Sequence, residues 1–206
     1  MRSRRMMTGI GGVMIATIAI IVIAMTINDA PDVTEAQIET IECIREDTGE
    51  TCIRFPMISG DNLTGMPVTY PRDFSGTYTL TVLPFDRDQQ VIADTWLPYV
   101  RELGDEYSEF SYYNIPVFPD LDTGFRIVAR AGLVLLIQDA FLREITTTVF
   151  LDNRDEFLSA LDIPDVELIQ ILLLNDNNEV VWRESGEFTA EKGEALVQLL
   201  DELLVN

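Results

Sequence analysis

Covalent chemistry in this chain rests on two residues, Cys43 and Cys52, in the segment Ile41-Glu-Cys-Ile-Arg-Glu-Asp-Thr-Gly-Glu-Thr-Cys-Ile-Arg54. Asp47-Thr48-Gly49 supplies turn residues, and β-branched or apolar side chains flank it on both sides, so the segment reads as a hairpin. A hairpin brings the two sulfurs near each other across the strands. In an oxidising compartment the expected product is a structural disulfide, which stabilises by closing a short loop. A redox-active pair and two free thiols are the alternatives. Redox pairs usually have C-x-x-C spacing at a helix N-terminus, where one thiol is acidified, and eight residues intervene here. Histidine is absent from the chain. That removes the commonest general base and metal ligand, and with them triads, haem ligation through His and His-based zinc sites. Carboxylate chemistry is left open.

Other constellations are weaker. Asp86, Arg87, Asp88 and Gln89 precede an expected helix and could bind a cation or a basic partner, or simply cap the helix in solvent. Arg126 and Arg130 share a helical face and, with Arg143, could hold an anionic partner segment; pairing with nearby acids is the plainer reading. Asp-Thr-Gly occurs at 47–49 and 122–124, but both copies sit in polar turns instead of the apolar strands an aspartic-protease dyad requires. Asn175-Asp-Asn-Asn-Glu179 lacks the spacing of a calcium loop and reads as a hairpin turn. Asn62-Leu63-Thr64 has the form of a glycosylation sequon, relevant only in a eukaryotic secretory protein. No metal or cofactor is expected.

Location is written more plainly. Residues 6–27 carry no formal charge, follow Arg2, Arg4 and Arg5, and run into Asn28-Asp29-Ala30-Pro31-Asp32. A helix of that length matches the hydrocarbon core of a bilayer, and the arginines favour a cytoplasmic N-terminus. Residues 1–5 are thus expected as a cytoplasmic leader, 6–28 as a transmembrane helix and 29–37 as a linker. A cleaved signal peptide is the rival reading, with a core longer than usual and a poor cleavage site. The remainder lies outside the cytoplasm, with a bacterial cell envelope favoured over the mitochondrial inner membrane. All 35 acidic residues fall beyond the leader, in a chain of net charge −21. Such a surface repels phosphate backbones, so nucleic-acid binding is not expected.

Residues 38–73 show short β-like runs and form a β-rich extension carrying the cysteine hairpin. From residue 74 onward strands and helices alternate: a strand at 77–85, a helix at 90–103 with Gly104 as its C-cap, and a strand at 110–117. A helix at 125–142 and a strand at 145–151 follow; residues 132–137 are apolar on all sides, hence deeply buried or partly a strand. Asn153 begins a short helix to 161. A strand at 166–174 turns through Asn175–Asn178 into 179–184, and Thr189 caps a last helix whose stripe is Leu196, Leu199, Leu200 and Leu203. The fold class is α/β, a mixed sheet with helices on both faces.

Residues 79–103, together with Leu161-Asp-Ile-Pro-Asp165, Leu172-Leu-Leu-Asn-Asp-Asn-Asn-Glu-Val-Val-Trp182 and Gly186-Glu-Phe-Thr189, resemble the thioredoxin-like superfamily. The likeness is to its peroxiredoxin-like and ATP-synthase-assembly-factor branches, and it covers about residues 74–204. In redox-active members a cysteine motif follows the first of these strands; here the loop is Asp86-Arg87-Asp88-Gln89-Gln90, without a thiol. Pro164 stands near the place of the family's cis-proline, with Asp165, Val166 and Glu167 intervening before the strand. The resemblance therefore implies a thioredoxin-like scaffold without the redox centre. On that reading the chain is a non-enzymatic, membrane-anchored assembly or accessory subunit that binds an integral or peripheral membrane protein complex. The alternatives are a thiol-disulfide oxidoreductase using Cys43 and Cys52, and a small-ligand or metal-binding domain.

Overall fold

A computed structural model describes residues 43–44 and 49–204. The expected membrane segment at 6–28, the linker at 29–37 and the turn residues 45–48 lie outside the described residues. Among the described residues no helix is long and apolar enough to cross a membrane.

The central sheet is built from β5 (Tyr78–Leu83), β6 (Phe110–Asn114), β9 (Gln170–Leu174) and β10 (Val180–Ser185), in the order β10-β9-β5-β6. β5 and β6 are parallel, whereas β9 runs antiparallel to both β5 and β10. The parallel pair needs a crossover, which α1 (Gln90–Ala93) and α2 (Leu97–Glu106) supply; β9 and β10 close as a hairpin followed by α6 (Ala190–Leu204). A βαβ unit joined edge to edge with a ββα unit in this strand order is the thioredoxin-like arrangement. The fold is α/β and thioredoxin-like.

Alternation along the central strands divides the core in two. Leu80, Val82, Ile171 and Leu173 face α1, α2 and α6, where they pack on Ala93, Trp96, Val100, Leu103, Leu196 and Leu200. Leu83, Leu172 and Leu174 face the other way, toward Phe157 of α5 (Arg154–Ala160), its C-cap Leu161, and Phe55, Ile58 and Tyr70. The last helix lies close because of Gly193: a Cβ there would stand 2.9 Å from the Tyr99 ring and 3.0 Å from Phe188. Thr189 does cap this helix, its Oγ1 accepting from Lys192 N at 3.3 Å.

A second sheet, β4-β3-β8-β7, is formed by β3 (Ile58–Asn62), β4 (Pro67–Tyr70), β7 (Val117–Pro119) and β8 (Thr147–Leu151). It draws the β-rich extension into the same core, and an isolated parallel bridge from Asn114 to Thr146 links it to β6. Between β7 and β8 lie α3 (Thr123–Leu136) and α4 (Ala140–Ile145).

Several expected boundaries shift. The helix expected at 90–103 is two pieces, and Gly104 lies inside α2, whose C-cap is Tyr107. The strand expected at 110–117 is interrupted, because the chain leaves β5's side for the second sheet after Asn114. The helix expected at 125–142 ends at Leu136 and restarts at Ala140, where Asp139 caps it by accepting from Leu142 N. Residues 132–136 are helical. The expectation of deep burial there is wrong: Leu133 is 1% exposed, while Leu135 and Leu136 are 75% and 60% exposed.

Candidate functional site

Cys43 in β1 (Cys43–Ile44) and Cys52 in β2 (Thr51–Cys52) are direct cross-strand partners, and their sulfurs are joined in a disulfide with a Cα–Cα separation of 5.0 Å. The hairpin expected from the sequence is therefore present, closed by this bond. Cys43 is buried and Cys52 half-buried.

The hairpin is tied to the β9–β10 turn by the residues that follow it. Val180 N donates to Ile53 O at 2.8 Å and Phe55 N to Asn178 O at 2.8 Å, so residues 53–55 extend the central sheet beyond β10. This pairing sets Glu179 against the cysteines: its Oε1 stands 3.7 Å from both Cys43 Sγ and Cys52 Sγ. The carboxylate is oriented by Asn175, whose Nδ2 donates to Glu179 Oε2 at 3.3 Å and whose Oδ1 accepts from Glu179 N at 2.9 Å. Arg54 Nη2 lies 3.7 Å from the same Oε1. Two sulfurs, one carboxylate and one guanidinium thus meet at the edge of the sheet. Asn178 takes the left-handed conformation, φ 61°, that the tight turn before Glu179 needs.

Glu179 is 8% exposed, and burial of a carboxylate requires partners of this kind. Sequence reasoning saw it only as the end of a turn. No local signal connects it to the cysteines, which lie 136 and 127 positions away.

The other predicted site residues are placed elsewhere. In the loop after β5, Asp86 Oδ1 accepts from Gln89 N at 2.9 Å. Gln89 is buried: its Oε1 accepts from Phe85 N at 2.7 Å and its Nε2 donates to Val166 O at 2.8 Å and Glu167 O at 3.2 Å. It bolts the loop to the segment leading into β9. Arg87 and Asp88 remain exposed, 3.7 Å apart. Arg126 binds Asp120 and donates to Leu121 O; Arg130 donates to Asp61 at 3.1 Å and to Asn62 O at 2.6 Å; Arg143 donates to Ile137 O and Val134 O. These guanidiniums tie α3 and α4 to their surroundings. Asn62 is buried and engaged, accepting from Thr64 and Met66 and donating to Glu144 O. Asp122 of the second Asp-Thr-Gly caps α3. The cis peptide among the described residues is Tyr70–Pro71, whereas the Ile163–Pro164 bond is trans.

Three exposed carboxyls are shifted downward: Asp120 by Arg126, Asp139 by the backbone N–H of Leu142 and then Arg101, and Asp73 by Arg72 and then Thr69 N. A depressed folded pKa contributes stability that is full above the unfolded value and is lost as pH falls through the folded one. The melting temperature is accordingly expected to drop on acidification below about pH 4, where free aspartate begins to protonate. A melting temperature that rises through that range in a pH series would contradict the assignment.

The expectation of a scaffold without a redox centre, and of a chain that is not an enzyme, is corrected here. The loop 86–90 has no thiol, but the domain carries a cystine elsewhere, locked to the sheet edge and faced by a carboxylate. Absence of the helix-terminal motif therefore does not leave the domain without a cysteine pair.

No protein-family model matches the sequence, and no curated relative matches it. Similar solved structures include a thiol:disulfide interchange protein from Bacteroides sp., 18% identical over 66% of this chain and 81% of that one, TM-score 0.47. A thiol-disulfide oxidoreductase from Bacteroides fragilis is 18% identical over 73% of this chain and 98% of that one, TM-score 0.45. The exposed lipoprotein thioredoxin Etrx1 from Streptococcus pneumoniae is 12% identical over 71% and 98%, TM-score 0.46. At such identities and scores, activity has to be argued from this chain's own residues.

Proposed function

We propose that the protein is a thiol-disulfide oxidoreductase working through Cys43 and Cys52, held by residues 6–28 at the outer face of a bacterial cell-envelope membrane and meeting partner proteins there. The carrying observation is the cystine with Glu179 Oε1 at 3.7 Å from both sulfurs. The thioredoxin-like sheet supports the reading by providing a rigid edge for the pair.

Exchange begins at Cys52, the more accessible cysteine. A substrate thiolate attacks Cys52 Sγ; the new S–S bond forms as the Cys43–Cys52 bond breaks, and its electron pair leaves on Cys43 Sγ. A second substrate thiolate then attacks the substrate sulfur of the mixed disulfide and expels Cys52 as thiolate. Overall the substrate dithiol loses two electrons and two protons, and the chain's cystine gains both. Run backwards, the dithiol form reduces a substrate disulfide. Glu179 lies within hydrogen-bond reach of either S–H, so it can accept the thiol proton in one direction and return it in the other. Arg54 offsets the negative charge that accumulates when a thiolate forms beside the carboxylate.

Insulin reduction by the full chain with dithiothreitol tests the proposal. Acceleration of B-chain precipitation over reductant alone is expected, and a trace no faster than reductant alone sinks it. Within the same assay Glu179→Gln is expected to slow turnover by about 100-fold, the lower end of what a positioned proton acceptor contributes, with the urea midpoint little changed. A rate equal to wild type would remove Glu179 from the chemistry.

A further inference from the structure

We infer that the reduced pair, together with Glu179, forms a binding site for a thiophilic divalent cation of the Zn2+ type. The inference goes beyond exchange chemistry and rests on that reading only in requiring a reducible cystine. The ligand atoms Cys43 Sγ, Cys52 Sγ and a Glu179 carboxylate oxygen all lie within 4.8 Å of one another. Tetrahedral zinc, with bonds of about 2.3 Å to sulfur and 2.1 Å to oxygen, separates a sulfur and an oxygen ligand by about 3.6 Å. The observed sulfur–oxygen separations are 3.7 Å. Only the two sulfurs must part, to about 3.8 Å, and reduction permits this.

The chemistry of the donors fits. Two thiolates and a carboxylate carry three negative charges; Arg54 contributes one positive charge and a divalent cation the remaining two. Asn175 holds Glu179 by its other oxygen and its backbone N–H, in the way outer partners fix a ligand's orientation. Three protein ligands leave a fourth position for water on the half-buried Cys52 side, the pattern of an open zinc site. Arg54 Nη2 stands 3.7 Å from Oε1, and its side chain is 36% exposed, so it can yield that oxygen to the ion while its charge stays beside the carboxylate.

The steps balance. A dithiol reductant passes two electrons and two protons to the cystine and becomes a disulfide; the cation then displaces both thiol protons to solvent. Cystine and metal complex exclude each other, so metal loading withdraws the pair from exchange.

Co2+ titration of the full chain tests this, after reduction with a phosphine and removal of the reductant under anaerobic conditions. The expected result is one Co2+ per chain, with thiolate-to-cobalt charge-transfer and tetrahedral d–d bands that Zn2+ abolishes, and no bands in the oxidised chain, which serves as a control needing no substitution. Glu179→Gln should weaken Co2+ binding at least tenfold, and Arg54→Gln should strengthen it several-fold. Absence of bands in the reduced chain, or an affinity unmoved by Glu179→Gln, overturns the site. Insulin turnover by the same metal-free sample separates the two readings: turnover without bands removes the metal site alone, and bands without turnover leave the metal site standing and remove the exchange activity.

Discussion

Cys52→Ser is expected to lose insulin turnover completely, whereas Cys43→Ser is expected to make one attack and stop as a mixed disulfide. The asymmetry follows from burial. Cys43 is 5% exposed and faces the carboxylate from inside the hairpin, so an incoming thiolate reaches the half-buried Cys52 first. Without Cys52 no sulfur can accept that attack. Without Cys43, reduced Cys52 can still attack a substrate disulfide, but nothing within the chain resolves the product. Mass spectrometry after mixing with a disulfide peptide would show the covalent adduct for Cys43→Ser and none for Cys52→Ser. Wild-type turnover by either variant would defeat the assignment. Loss of the cross-link also frees a loop closed over a separation of nine residues, a cost of about 2.6 kcal/mol in the chain-entropy picture. Far-UV circular dichroism therefore accompanies the assay, to show that the central sheet is retained.

Trp96→Ala should destabilise the domain by about 3–5 kcal/mol, the range for removing a fully buried tryptophan. Trp96 is 0% exposed at the start of α2 and packs edge-on against Phe188, with ring centroids 5.3 Å apart, and against Trp182 of β10 at 6.4 Å. Its Nε1 donates to Gly186 O at 3.0 Å, joining the crossover helix to the end of β10. Truncation leaves a large cavity and an unpaired buried carbonyl. Trp96→Phe fills most of the space but loses the donor, so about 1–3 kcal/mol is expected for it. Urea unfolding measures both, and an alanine variant within about 1 kcal/mol of wild type would show that α2 is not anchored through this ring. The effect bears on the site because β10 begins one residue after Glu179.

Local patterns carried most of the architecture. The apolar strand segments expected at 77–85 and 166–174, the leucine stripe of 196–203, Thr189 as a cap and Asn175–Asn178 as a turn each depend on neighbours a few residues away, and each appears in the structure, the two strands shortened to Tyr78–Leu83 and Gln170–Leu174. The same holds for the cysteine hairpin, because cross-strand pairing follows from a short turn between two β-forming runs. The interruptions at residues 94–96, 115–116 and 137–139 were not legible. They arise where the chain passes from one packed layer to another, and hydrophobic periodicity carries no information about a neighbour distant in sequence. Residues 132–136 misled for the same reason: an apolar run implies burial only if something packs on it, and α3 is covered on one side alone.

By itself the sequence determined the order of elements, the pairing of Cys43 with Cys52 and the absence of histidine and of a thiol in the loop 86–90. The tertiary structure alone decided what stands beside that pair. Glu179 reaches the sulfurs because residues 53–55 add to the edge of β10 at one register, and a shift of one residue would turn the carboxylate to the opposite face. Register between segments more than 100 residues apart is set by the packing of both layers together, so no stretch of sequence read locally contains it.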